Sequence, residues 1–266
     1  MIFRDQLNRS IELKEIPKRI ISLVPSQTEL LYDLGLGKKI IAITKFCIHP
    51  DEWFRTKLHI GGTKKLNLDL IRSLQPDLII GNKEENEQSQ IELLQKEFPV
   101  WMSDIKDLDD ALDMITKLGA MVGKAKPAIK IKDKIILSFQ NLKSHISHLT
   151  SQRVAYFIWH NPFMTIGGDT FINNMLTYCG LQNAFSDLKR YPEITQDQLR
   201  IANPDLIFLS SEPFPFKEKH ISEFKSICLQ AKIFLVDGEM FSWHGSRLLK
   251  APGYFIQLLV QINSAK

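Results

Sequence analysis

The sequence predicts an α/β fold of two lobes, each built on a parallel-type sheet, with one long α-helix joining them. Short apolar runs rich in β-branched residues alternate with helical segments, the pattern of parallel strands with crossover helices. A helix-turn-strand unit occurs twice, as LNLDLIRSLQPDLIIGN at 66–82 and ITQDQLRIANPDLIFLS at 194–210. Between the copies, Ile129, Ile131, Ile135, Ile136, Phe139 and Leu142 keep helical spacing from Ala125 to about His148. That is one helix of roughly 35 Å, long enough to cross a small domain. The expected division is a first lobe over 1–123, the connecting helix over 124–150 and a second lobe over 151–266.

RIISLV at 19–24 reads as a buried strand ended by Pro25. Ser26 and Glu29 have capping-box spacing for the helix that follows, and Gly35 supplies its left-handed stop. KKIIAIT at 38–44 is the next strand, LDLIRSL at 68–74 a helix that breaks before Pro76, and DLIIG another strand. A helix near 87–97, a strand at PVWM and a helix at 107–122 complete the first lobe. RVAYFI at 153–158 restarts the pattern, and GGDTFINNMLTYCG at 167–180 gives a loop and helix with Asp169 as N-cap and Gly180 as stop. A helix and strand in the second repeat copy, a strand at 232–238 and a closing helix interrupted near Pro252 finish the chain. With an offset of 128, Asp69, Arg72, Pro76 and Asp77 match Asp197, Arg200, Pro204 and Asp205.

The 266 residues are 44% hydrophobic and 24% charged, with a net charge of +4, an ordinary globular composition. Lys and Arg are scattered among Asp and Glu, which gives no electrostatic footprint for nucleic acid, and the Lys-rich run 124–134 fits a solvated helix face. Cys47, Cys179 and Cys228 are too few and too widely spaced for a disulfide framework or a structural zinc site, and read as buried fillers. The start, MIFRDQLNRSIELKEIPKR, lacks the apolar run of a secretory signal, and nothing along the chain reads as a transmembrane helix.

In parallel α/β sheets, ligands bind beyond the carboxyl ends of the strands. The loops expected there hold Phe46, His49, Trp53, Trp159, His160, Phe163, Tyr191, Phe214, Phe216, Phe241, Trp243 and His244. So many large rings at loop positions suggest either a wall for a flat or bulky organic ligand or seals on the two cores. Arg247 is read as a partner for an anionic ligand group or as a surface ion pair. GLGKK at 35–39 follows a helix and lacks the third glycine of a dinucleotide fingerprint, and no nucleophile-elbow, P-loop or zinc-protease motif occurs. GGDTF at 167–171 offers backbone N–H groups to an anion or is a turn before a capped helix. His49, His160 and His244 have no metal-ligand spacing, although one could serve as axial ligand to the metal of a bound molecule.

RIISLVPSQTELLYDLGLG, the 66–82 unit, NPFMTIGGDTFINNMLTYCGLQNAF and YPEITQDQLRIANPDLIFLS together resemble the class III substrate-binding proteins of ABC importers. Those carry cobalamin, ferric siderophores, haem or metal ions, and the cobalamin binder is the nearest likeness. The resemblance covers nearly the whole chain. It implies two Rossmann-like lobes bridged by a helix, a ligand held in the cleft between them, and a monomer that delivers to a permease dimer with its ATPase. It implies no catalysis and no intrinsic cofactor, with a corrinoid favoured, a ferric siderophore next and haem third. Phe46 and Tyr191 match ligand-facing aromatics of the cobalamin binder, while Thr63 stands where that protein has Trp. Asp69 and Asp197 match the two permease-docking carboxylates, which are often Glu. The resemblance implies a periplasmic or cell-envelope location, whereas the missing signal peptide leaves a cytoplasmic one open. The rival reading is a cytoplasmic enzyme or chaperone that handles a corrinoid or metal chelate on the same scaffold.

Overall fold

The computed structural model describes residues 1–146 and 150–264. It divides into two compact units, the first comprising Met1–Ile105, Asp109–Lys134 and His244–Arg247, and the second Lys106–Leu108, Ile135–Trp243 and the chain from Leu248 onward. Each unit is an α/β layer structure, and one helix carries the chain from the first to the second.

The first unit opens with an antiparallel hairpin that sequence patterning did not signal, β1 (Ile2–Arg4) and β2 (Ser10–Glu12). The Asp5 carboxylate closes its turn by accepting from the backbone N–H groups of Leu7 and Arg9 and from the Arg9 side chain. Next come β3 (Ile20–Ser22), α1 (Pro25–Asp33), β4 (Ile40–Ile43), α2 (Asp51–Thr56), β5 (Leu58–His59), α3 (Leu68–Leu74), β6 (Leu78–Asn82), α4 (Gln88–Gln95), β7 (Val100–Ser103) and α5 (Leu108–Met121). The sheet is parallel, in the order β5-β4-β3-β6-β7. Every residue of β3, β6 and β7 is buried, as a sheet covered on both faces requires.

Helix α6 (Ala125–Ile146) follows; the expected end near His148 lies outside the described residues. The second unit continues with β8 (Arg153–Trp159), β9 (Met164–Thr165), α7 (Phe171–Tyr178), β10 (Gln182–Asn183), α8 (Gln196–Ala202), β11 (Leu206–Ser210), α9 (Ile221–Ile227), β12 (Lys232–Val236), α10 (Gly238–Ser242) and α11 (Ala251–Ser264). Its sheet runs β10-β8-β11-β12 in parallel, with β9 antiparallel on β8. In both sheets the first parallel strand lies inside, so successive crossovers leave it in opposite directions. The resulting switch points, β3/β6 and β8/β11, are where such folds open a crevice.

The repeat seen in the sequence holds at the level of backbone angles. Asn67 caps α3 by accepting from Leu70 N–H, and Thr195 caps α8 by accepting from Gln198 N–H in a reciprocal capping box. Both helices end on a left-handed residue, Gln75 at φ 43°, ψ 63° and Asn203 at φ 42°, ψ 62°. Asp77 then accepts from the backbone of Lys18 and Arg19, and Asp205 from that of Arg153, which ties each copy to the strand beside it.

Two local expectations fail and a third holds. Helix α1 begins at Pro25 with Val24 as a cap that makes no side-chain bond, so Ser26 and Glu29 form no capping box. Proline is preorganised for the first helical position, which leaves Ser26 inside the first turn. Helix α7 is capped by Thr170 and not by Asp169, whose carboxylate instead accepts from Arg190 N–H. The closing segment is interrupted near Pro252 as expected: a 3-10 turn, Ser246–Leu249, ends just before Pro252 enters the first turn of α11.

Candidate functional site

In the second unit, β8 and β11 send their loops from the switch point. Trp159 ends β8 and packs edge-on against Phe214 from the β11 loop, ring centres 5.7 Å apart. His160 stacks on the same Phe214 at 5.5 Å and 26°. Its Nε2 lies 2.7 Å from the Glu223 carboxylate, and the His220 ring centre is 4.9 Å away. Beneath these rings, Phe163 and Phe216 join the core around Phe224. Trp159 remains 39% exposed, and His160 and Phe214 are half-buried, so together they form an accessible aromatic ledge. Tyr191, on the loop after β10, is half-buried, with the Arg190 guanidinium 5.6 Å from its ring centre.

Behind the ledge, the β11 loop carries Glu212, which sequence reading passed over. Its carboxylate accepts from the Ser242 hydroxyl at 2.6 Å and the Trp243 indole at 3.0 Å. Burial raises its pKa; the hydrogen bonds from Ser242 and Trp243 oppose that shift and the nearby Glu239 and Asp237 carboxylates reinforce it.

In the first unit, Phe46 follows β4 and is 50% exposed, with the Lys45 ammonium 5.1 Å from its ring centre. The pair borders a depression of about 980 Å³ that also takes in the Gly61–Gly62 turn and Thr63. His49, in the same loop as Phe46, is half-buried. Below the strand ends runs a buried polar network. Gln27 donates to Ser103 Oγ at 2.6 Å and to Gly81 C=O at 3.2 Å, Asn82 donates to the same Ser103 at 2.9 Å, and the Thr28 hydroxyl lies within hydrogen-bond distance of Ser22 Oγ and of the Cys47 sulfur. Burial pushes the Cys47 thiol up to about 11, which keeps it protonated and inert.

Thirteen residues were expected to line a ligand, and seven of them fold inward. Trp53 is buried against Tyr32, with ring centres 5.2 Å apart. Phe163, Phe216 and Phe241 belong to the core, the last packed on Tyr156 and Phe255, and Trp243 is buried on Glu212. His244 is buried in the first unit with Nδ1 3.5 Å from Ser26 Oγ, and burial holds its pKa down to about 4, so the ring is neutral. Arg247 is neither a surface ion pair nor on an open wall, since its Nε donates to Glu29 at 2.9 Å with both side chains at or below 10% exposure. Phe46, His49, Trp159, His160, Tyr191 and Phe214 keep accessible surface. Among the described residues no group of three His, Cys, Asp or Glu side chains is placed to hold a metal ion.

Asp69 and Asp197 occupy equivalent places in the first turns of α3 and α8, with side chains 94% and 82% exposed. Each pairs with the arginine one turn on, Arg72 and Arg200. The Gly-Gly turn at 167–168 is not open to an anion: its two N–H groups donate to the carbonyls of Arg190 and Leu188.

Two α/β units, a connecting helix and accessible rings at strand carboxyl ends define the class of a two-lobed ligand-binding protein. The family model described as "Periplasmic binding protein" matches residues 20–227, and the chain belongs to that family. The vitamin B12-binding protein of Pectobacterium carotovorum is 28% identical over 256 residues, covering 93% of this chain and 90% of its own. An uncharacterized ABC transporter substrate-binding lipoprotein of Bacillus subtilis, YvrC, is 28% identical over 211 residues, covering 76% of this chain and 67% of its own. Among solved structures, the periplasmic vitamin B12 binding protein BtuF of Vibrio cholerae superposes with a TM-score of 0.81 at 23% identity, covering 94% of this chain and 99% of that one. These relatives are binding proteins by name.

Proposed function

We propose that this protein is the substrate-binding component of an ABC importer. It captures a metal-containing organic ligand, a corrinoid first, a ferric siderophore second and haem third, and delivers it to a permease dimer with its ATPase. The observation that carries the reading is the accessible ledge of Trp159, His160 and Phe214 at the β8/β11 switch point, with Phe46 exposed at the carboxyl end of β4 in the other unit. Large rings at an open strand end suit a flat, mostly apolar ligand. The names of the relatives support the class of ligand and the transporter, and an envelope location follows from the same likeness. Asp69 and Asp197, exposed and matched in position, are the docking carboxylates of the proposal. Charge complementarity there sets orientation and encounter rate more than affinity.

The rival reading, an enzyme or chaperone acting on such a ligand, has one observation in its favour, the His160–Glu223 pair beside the ledge. The test is a titration of the protein with cobalamins, ferric siderophores and haemin, following tryptophan fluorescence and ligand absorbance. Saturable quenching that Trp159→Phe largely removes is expected. Failure of every ligand to bind sinks the proposal.

A further inference from the structure

At the amino end of β4, the first unit carries a depression of about 680 Å³ that the ligand-capture reading does not use. The turn between α1 and β4, the turn before α6 and helix α2 meet there. Gly35 ends α1 at φ +72°. A Cβ on it would lie 3.9 Å from Lys124 Nζ, so the bare glycine leaves that ammonium open to the depression. Lys39 reaches to within 3.5 Å of Val122 C=O, which ties the α1–β4 turn to the segment that leads into α6. Lys38 completes the basic lining. On the other side, Trp53 is a buried wall 3.8 Å from where a Cβ on Gly37 would be, and Tyr32 stands edge-on to it at 39% exposure. Behind this wall, Lys57 donates to Gly37 C=O at 2.5 Å, with its ammonium 5.4 Å from the Trp53 ring centre.

Lys39, Lys57 and Lys124 are half-buried. Among the described residues neither they nor Lys38 make an ion pair. The carboxylates of the lining, Asp33 and Glu52, are exposed and make none either. Four cations against two carboxylates leave a positive surplus, and a concave wall concentrates such a field on whatever enters it. Ammonium groups partly withdrawn from water and without a counter-charge favour an anion beside them. Lysine acts on phosphate or carboxylate oxygens as a point charge, and the exposed edge of Tyr32 offers apolar contact to the rest of a molecule that carries them.

We propose that this depression is a second binding site, for a multiply charged oxyanion, phosphate or carboxylate, held by Lys38, Lys39 and Lys124. The inference goes beyond the ligand-capture reading and does not rest on it. The four residues of β4, about 13 Å of strand, separate Lys39 from the loop that carries Phe46. The test compares wild type, Lys39→Gln, Lys124→Gln and the double variant with Lys126→Gln, an exposed lysine outside the depression that controls for net charge. All are matched by thermal transition and then titrated calorimetrically with AMP, tripolyphosphate, citrate and adenosine at low and high salt. Wild type is expected to bind at least one of the three anions saturably, more weakly as salt rises, and adenosine not at all. The double variant loses about tenfold in affinity for that anion, and Lys126→Gln keeps it. The anion that binds names the source: a phosphate ester with an organic body, a free polyphosphate or a polycarboxylate. Haemin, cyanocobalamin and a ferric siderophore are titrated against the same variants, and their affinities stay those of wild type. Failure of wild type to bind any of these three while it binds the anion sinks ligand capture and leaves the second site standing. No saturable binding of any anion, adenosine binding equal to that of AMP, wild-type anion affinity in the double variant, or an equal loss in Lys126→Gln overturns the inference. A loss of haemin, cyanocobalamin or siderophore affinity in the double variant overturns the separateness of the two sites.

Discussion

The buried ion pair between Arg247 and Glu29 gives the sharpest prediction about what holds the first unit together. Residues 244–247 belong to that unit although they come near the end of the chain, and Arg247 Nε reaches Glu29 across 218 positions at 2.9 Å. The side chains are 8% and 10% exposed. Replacing Arg247 with Met leaves the Glu29 carboxylate in a nearly dry site without this partner, a change that costs about 3–5 kcal/mol. For a chain of this size, that is a fall in Tm of roughly 6–20 °C. Replacing both residues, as Glu29→Leu with Arg247→Met, recovers most of the loss, because a well-packed apolar pair is often as stable as the ions it replaces. Urea unfolding of the two single variants and the double variant, treated as a double-mutant cycle, measures this coupling. A loss below about 1 kcal/mol for Arg247→Met, or a double variant as unstable as the sum of the singles, refutes the reasoning. Ligand affinity of the double variant remains that of wild type, since the side chains of Arg247 and Glu29 are both buried.

Three further outcomes follow from the same geometry. Burial holds His244 near 4, below its ordinary value of 6.5. The unfolded chain therefore takes up the proton first, and stability falls by up to about 1.4 kcal/mol per pH unit as pH drops from 6.5 toward 4; His244→Gln flattens that part of the urea-measured profile. Gly168→Ala places a methyl 2.2 Å from Ser186 C=O and lowers unfolding stability by about 1–3 kcal/mol; unchanged stability contradicts that close approach. Asp69→Lys with Asp197→Lys abolishes stimulation of the transporter ATPase in reconstituted vesicles while ligand affinity is retained; undiminished stimulation removes these residues from docking.

The parts of the fold that were legible in the sequence are those whose cause is local. The doubled unit announced itself because a cap, a left-handed stop and a back-bonding aspartate lie within about a dozen residues, and both copies realise them with the same angles. The central strands were equally plain, since a strand buried on both faces reads as a near-continuous apolar run. Strands β5 and β10 have two residues each and exist through pairing with a neighbour, which no local pattern encodes. The Ser26–Glu29 spacing misled for the same reason. It matches a capping box, yet the true partners, His244 and Arg247, are 218 residues distant.

The site was legible in composition and not in direction. Aromatic residues are the right material both for a ligand wall and for a core, and the loops contain both. Trp159 and Phe214 stay near the surface, while Phe163 and Phe216, in the same two loops, turn under them onto Phe224. Only the packing of β8 against β11 decides which ring lies above.

The central claim, that this chain captures a ligand and does no chemistry on it, is tested most directly by equilibrium dialysis against the corrinoid, siderophore and haem panel, followed by mass spectrometry of the recovered ligand. The account predicts saturable binding of at least one metal-containing ligand and recovery of that ligand chemically unchanged after prolonged incubation. Recovery of an altered ligand, with the alteration lost in His160→Gln or Glu223→Gln, contradicts it and moves the protein into the enzyme class.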